Sequence, residues 1–194
     1  QAREACPKYT PAQGNSAAAE AGTRQHDAVE RAEDNEHLDD NQAYAVAECL
    51  AYLDKVAERY PGATVLKEEY WPIDAEHTTA GYADYVLISA DGKTAEVADL
   101  KFGKQAVEEA STNLQGIAYL LGVKHRFPSV ETVTVSFICP HMDVVDKHTF
   151  VPTPQVRDSL YLRVKVVVER AKLATQNPDD FSLASPSASA CMFC

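Results

Sequence analysis

The 194-residue chain contains no run of about 18 apolar residues, so nothing in it reads as a membrane-spanning helix. It also lacks a basic segment followed by an apolar one near its start, and without that secretion signal a cytoplasmic protein is expected. Positive charge is scarce. With 18 Lys and Arg against 29 Asp and Glu, the formal net charge is −11, which argues against a protein that coats nucleic acid nonspecifically by neutralising phosphates. Five cysteines, an odd number without an export signal, argue against a disulfide framework. No internal repeat is visible.

The hydrophobic fraction of 45% is enough to bury a full core, and residues 1–194 are expected to form a single domain. Charge is unevenly spread: residues 27–60 carry ten acidic and three basic side chains. Residues 157–172 instead hold Arg157, Arg163, Lys165, Arg170 and Lys172 against Asp158 and Glu169, a run that reads as the solvated face of a helix, with a local basic face as the alternative.

Apolar periodicity places helices over 17–33 and 41–60, the second ended by Pro61-Gly62. A strand over 63–73 follows, then a turn at 74–78. A further helix is predicted over 105–122, with Gly122 as its stop, then strands over 130–139 and 144–151. A last helix opens at Thr153-Pro154 and runs to about Ala174. Residues 182–190, mostly Ser, Ala and Pro, have little to bury.

The most informative segment lies between. Residues 82–90 and 93–101 are rich in β-branched and apolar types, and Asp91-Gly92 between them signals a two-residue type I′ hairpin. Ala90 then faces Lys93, and stepping back along both strands brings Asp84 opposite Asp99. Such partners point to one face with Cβ atoms roughly 4.5–5.5 Å apart. Alternation puts Lys101 on the face of Asp99, with the Leu100 carbonyl between them. A one-residue slip would part the aspartates.

Two carboxylates at that separation suit a shared divalent cation, and hard cations such as Mg²⁺ choose carboxylate, carbonyl and water oxygens. On spacing alone they equally fit strand-end charges, with Lys101 pairing one of them. The surroundings favour the cation. Val86, Ile88, Ala95 and Val97 share the aspartate face, Tyr85, Leu87 and Ala98 the other, and buried carboxylates are costly unless paired or coordinated. Glu68 and Glu69 precede the hairpin, and the sequence does not decide which points toward it.

The order helix, three strands, helix, strand carries four local patterns in sequence: Gly22-Thr23-x-x-His26, Gly81-x-x-Asp84, Asp99-x-Lys101 and Gln115-x-x-x-Tyr119. As an ordered set it resembles the PD-(D/E)XK nuclease superfamily, most closely the RecB-like branch. The resemblance implies an α/β, restriction-endonuclease-like core in which helices flank a central mixed β-sheet. It implies that His26, Asp84, Asp99 and the Leu100 carbonyl hold Mg²⁺ or Mn²⁺. Lys101 would orient the attacking water, and Gln115 and Tyr119 would steady the site or a DNA phosphate. The expected activity is that of a metal-dependent DNA exonuclease in recombination, repair or CRISPR-type DNA processing, phage-encoded or otherwise. Single-stranded DNA is the favoured substrate, and repair or recombination proteins are expected partners. The alternatives are a noncatalytic DNA-binding or scaffold protein that retains the fold, and an acidic decoy that binds a partner through residues 27–60.

Cys49 lies on the apolar stripe of a helix and Cys139 ends a strand, so both read as small buried hydrophobes. Cys6, Cys191 and Cys194 differ. Some RecB-like nucleases carry one amino-terminal and three carboxy-terminal cysteines around an iron–sulfur cluster, and the resemblance implies a 4Fe-4S cluster held partly by these three. Zinc is the second reading and a redox pair the third. The fourth ligand is expected beyond residue 194, in a longer polypeptide. The cluster would join the arms 1–16 and 175–194. Protein carrying it should be brown when purified anaerobically, with broad visible absorption that bleaches on reduction, whereas colourless protein with stoichiometric zinc would overturn the cluster.

Overall fold

A computed structural model describes residues 2–8, 17–31 and 37–185. Its helices are α1 (Ala2–Ala5), α2 (Ala17–Arg31), α3 (Asp40–Arg59), α4 (Leu114–Arg126) and α5 (Pro154–Gln176). Its strands are β1 (Thr64–Pro72), β2 (Ala80–Ile88), β3 (Thr94–Leu100), β4 (Thr132–Cys139) and β5 (Val144–Phe150). The chain divides into two compact units, the larger containing α2–α4 and all five strands, the smaller α1 and α5.

In the larger unit the strands form one mixed sheet in sequential order, antiparallel except where β4 lies parallel to β3. A parallel neighbour needs a crossover, and α4 supplies it. This is the expected α/β arrangement of a restriction-endonuclease-like core, a mixed sheet flanked by helices.

The apolar stripe of α3 (Val46, Cys49, Leu53 and Val56) packs with Tyr85, Leu87, Ala98 and Leu100 of the sheet. Cys49 is fully buried, which pushes its thiol up to about 12, and burial raises Cys139 likewise, so both are neutral hydrophobes as expected. Helix α3 begins with a capping box: Asp39 accepts from the Gln42 amide, and the Gln42 side chain accepts from the Asp39 amide.

The hairpin has its expected register but not its expected turn. Tyr85 faces Ala98, Val86 faces Val97, Leu87 faces Glu96 and Ile88 faces Ala95. The two strands close instead at Ser89 and Thr94, around a four-residue loop in which only Gly92, with φ 68°, is left-handed. Asp91 accepts from the Ser89 hydroxyl and the Lys93 amide, holding a looser turn than type I′. Two-residue and four-residue loops centred on one point give the same pairing.

The predicted helix over 105–122 is displaced. Residues 105–113 are non-helical, and α4 starts where the Asn113 side chain accepts from the amides of Gln115 and Gly116. The preceding loop is pinned by the Asp146 carboxylate, which accepts from the Ala110 amide. Nor does Gly122 end the helix. A Cβ there would meet Trp71 Cβ at 3.0 Å, so its role is close packing of α4 on β1 while the helix runs on to Arg126. Gly116 has a similar role, since a Cβ would lie 2.8 Å from Val135.

In the smaller unit, Glu4 after the start of α1 takes two hydrogen bonds from Arg163 of α5, at 2.8 and 3.0 Å. Lys8 donates to the carbonyls of Asn177 and Pro178, and the buried Cys6 Sγ accepts from the Ser185 amide at 3.3 Å. Chain leading toward the terminal cysteines thus passes beside Cys6. Cys191 and Cys194 themselves lie outside the described residues.

Asn113 is fully buried and caps α4, so Asn113→Ala should cost roughly 1–2 kcal/mol. The expected readout is a lower urea midpoint at unchanged denaturant slope; an unchanged midpoint would show that the cap does not hold the helix start.

Candidate metal centre

Three adjacent strands each place one carboxylate in a single row. Continuing the β2–β3 register one step beyond Tyr85–Ala98 puts Asp84 opposite Asp99. On the other side, β1 and β2 pair as Lys67–Tyr85 and Glu69–Ala83, which leaves Glu68 opposite Asp84. Regular pairing ends just short of this row between β2 and β3, and between β1 and β2 it skips the row and resumes at Glu69–Ala83. Glu68 has φ 48°, a left-handed backbone that costs a β-strand residue energy. The Leu100 amide donates to Asp84 Oδ2 at 2.6 Å, a side chain taking the place of a strand carbonyl.

The choice the sequence left open between Glu68 and Glu69 is therefore resolved. Glu69 pairs with Arg126, whereas Glu68 joins Asp84 and His26, whose ligand atoms all lie within 4.8 Å of one another. The β1–β2 connection carries no tight-turn signal, so its register was not readable beforehand.

His26 reaches the row from α2. One residue earlier, the side-chain amide oxygen of the buried Gln25 lies 3.0 Å from His141 Nε2, which anchors that turn of the helix. Phe102 meets the His26 ring edge-on at 5.1 Å, and His26 Nδ1 stands 3.5 Å from Asp84 Oδ1. Burial lowers the His26 pKa despite the opposing pull of Asp99 and Glu68, so the imidazole is held neutral, as a ligand nitrogen must be.

Asp99 is almost fully buried and enclosed by α4. Its Oδ1 accepts from Gln115 Nε2 at 3.0 Å and from the Tyr119 hydroxyl at 3.1 Å. Gln115 Oε1 in turn accepts from Lys101 Nζ, and Tyr119 also donates to the Tyr82 carbonyl at 2.7 Å. Gly81 makes this possible: its missing Cβ would sit 3.2 Å from the Tyr119 ring. Burial, then the Asp99 charge, raise the Tyr119 pKa, keeping it a hydrogen-bond donor. Asp99 Oδ2 lies 2.5 Å from Lys101 Nζ but is buried without an aligned hydrogen bond.

His26, Asp84, Asp99, Leu100, Lys101, Gln115 and Tyr119 all line one cleft of about 510 Å³. The donor set fits a hard divalent cation. Glu68, Asp84 and Asp99 ionised, offset by Lys101, leave two negative charges beside a neutral imidazole; Glu68 and Asp84 stand with His26 in the close ligand group, and Asp99 brings an underused oxygen to the cleft that His26 and Asp84 line. The expected iron–sulfur ligands give no comparable grouping among the described residues, where only Cys6 of the three is seen.

The fold and cleft define an α/β protein with a carboxylate–imidazole site built across three strands. The chain belongs to the family described as "Protein of unknown function (DUF2800)", whose model matches residues 9–194. No curated protein matches the sequence.

Burial, reinforced by the neighbouring Asp99 charge, pushes Asp84 from 3.8 up to about 8. The metal-free folded protein thus keeps a proton that the unfolded chain has released. This contribution to stability is full below pH 3.8 and is lost as pH rises to about 8. His26, with its lowered value, acts oppositely, and only below its ordinary 6.5. Between about pH 6.5 and 8 in EDTA, wild-type stability should therefore fall, whereas Asp84→Asn should flatten the slope. Mg²⁺ or Mn²⁺ at about 100 times its dissociation constant should raise the wild-type melting temperature by several degrees and leave the variant unmoved. Equal slopes and equal metal responses in both proteins would overturn this account of Asp84.

Proposed function

We propose that the protein is a divalent-metal-dependent deoxyribonuclease, an exonuclease that hydrolyses the phosphodiester bonds of DNA. The observation that carries this reading is the row Glu68–Asp84–Asp99 with the Lys101 ammonium lying against Asp99. A cluster of carboxylates alone would suit a structural ion. A lysine held inside it supplies a positive charge and a proton donor at the point where a phosphate oxygen or its attacking water would lie.

In this reading His26, Glu68, Asp84 and Asp99, with the Leu100 carbonyl, hold Mg²⁺ or Mn²⁺. When bound, the cation supplies phosphate polarisation, a lowered pKa for water and stabilisation of the leaving alkoxide. The chain's own groups do the rest. Gln115 Oε1 accepts from Lys101 Nζ at 3.0 Å and so keeps the ammonium extended toward Asp99, and Tyr119 and Gln115 together fix the Asp99 carboxylate. The neutral His26 offers nitrogen without adding positive charge, and Phe102 restricts its rotation.

The resemblance to RecB-like nucleases and the cleft's mixed donor set support DNA as substrate, and the net charge of −11 fits local rather than blanket contact with phosphate. Labelled single- and double-stranded DNA incubated with Mg²⁺ or Mn²⁺ should be degraded by wild type. Asp99→Ala and Lys101→Ala should each lose at least about 100-fold in rate. Linear strands consumed while closed circles survive would mark the exonuclease. Equal products from all three proteins would defeat the proposal, and binding without cleavage by wild type would favour the noncatalytic scaffold.

A further inference from the structure

Beside the carboxylate row, the same two strands expose an aromatic group that the fold does not bury. Tyr70 of β1 faces Tyr82 of β2 directly, and their rings lie 5.5 Å apart. His77, from the loop joining these strands, stacks on Tyr70 at 5.9 Å with an interplanar angle of 21°. Tyr82 is 63% exposed and Tyr70 44%. Neither ring contributes to the core of the sheet.

The loop is built to hold His77 there. His77 has φ 52°, and the Asp74 side chain accepts from the Thr78 amide at 2.9 Å while the His77 amide reaches the Asp74 carbonyl. The imidazole lies 3.4 Å from the Tyr70 hydroxyl, so one hydrogen bond ties the two rings.

Position supplies the meaning. Tyr82 precedes Asp84 by two residues, which puts both on one face of β2 about 7 Å apart along the strand, and both line the cleft. Tyr82 is also bound to the catalytic group through its backbone, since its carbonyl accepts from Tyr119, which contacts Asp99. The aromatic group therefore begins in the cleft and leads away from it over Tyr70 to His77. A strand whose phosphate reaches Asp84 and Lys101 would lay its neighbouring nucleotides on these rings.

We infer that Tyr82, Tyr70 and His77 form a stacking platform for unpaired bases of the DNA strand whose phosphate enters the carboxylate cleft. The inference rests on the nuclease reading above, and adds to it a base-binding surface outside the carboxylate row. Every base offers a flat π-face, so such a platform accepts any sequence, but paired bases are already stacked and do not present that face. Duplex DNA must be frayed before it can engage. Tyr82, nearest the carboxylates, takes the first base, and Tyr70 with His77 the next.

The test uses the full chain in Ca²⁺ or EDTA and three fluorescein-labelled probes: a dT oligomer, an abasic strand of equal length and a duplex. Anisotropy should show wild type binding the dT oligomer about tenfold more tightly than the abasic strand. Tyr70→Leu and Tyr82→Leu should each remove most of that preference, whereas Tyr70→Phe and Tyr82→Phe should keep it. In Tyr70→Trp, fluorescence should be quenched by the dT oligomer and not by the abasic strand. Tyr70→Leu should hydrolyse methyl p-nitrophenyl phosphate, which carries no base, at the wild-type rate in Mn²⁺. If wild type degrades DNA but binds abasic and dT strands equally, or the leucine variants retain the preference, the platform is overturned and the nuclease stands. If dT binding depends on the tyrosines but wild type cleaves nothing, the nuclease reading falls and the platform stands. Wild type that neither binds nor cleaves DNA overturns both.

Discussion

The constraint on which the larger unit turns is the crowding of like charges. Glu68, Asp84 and Asp99 occupy one row of adjacent strands, and carboxylates side by side at low exposure repel one another and lose hydration together. The surrounding structure answers that cost piece by piece. Asp84 takes the Leu100 amide, Asp99 takes Gln115, Tyr119 and the Lys101 charge, and Glu68 adopts a left-handed backbone where the β1–β2 pairing is interrupted. Protonation of Asp84 is what is left over when no cation shares the row.

The supporting architecture follows from the same need. Asp99 can be enclosed only if a helix comes down onto the end of β3, and α4 does so because Asn113 starts it there and Gly116 lets it approach Val135 and Phe137. The loop before it is fastened to β5 through Asp146. Gly81 and Gly122 mark two further close approaches, Gly81 of β2 under the Tyr119 ring and Gly122 of α4 against Trp71. The helix and sheet are thus fitted to each other at the very positions that carry Gln115 and Tyr119.

Much of this was legible in the sequence, for physical reasons that vary by element. The β2–β3 pairing could be read because Asp91-Gly92 fixes the centre of the hairpin, and pairing depends on the centre rather than the turn type. Helix α3 was plain from its apolar period and its Pro-Gly stop. The start of α4 was misread because Val107 and Ala110 happen to continue its period, while the Asn113 cap, a short-range signal, overrides them. Gly122 was misread because a glycine in a helix looks the same whether it ends the helix or makes room for a neighbour. Sequence does not decide for Glu68 because the β1–β2 loop, though it holds a turn at Asp74–His77, is too long to fix the pairing, and that pairing is also what sets Tyr70 beside Tyr82.

The hairpin tip also bears on how this chain can vary through descent. The loop between Ser89 and Thr94 lies well away from Asp84 and Asp99, and the strand ends near the carboxylates are secured independently, by Asp84 on the Leu100 amide and by the Lys101 amide on the Ile138 carbonyl. Residues added or lost symmetrically about the tip leave the aspartates facing. A change in the loop's own length stays in the loop, because the pairing inward of Ser89 and Thr94 does not depend on how many residues lie between them. Length variation is therefore confined in its effect to the tip, whereas a single residue inserted within either strand would slip the register and part the row.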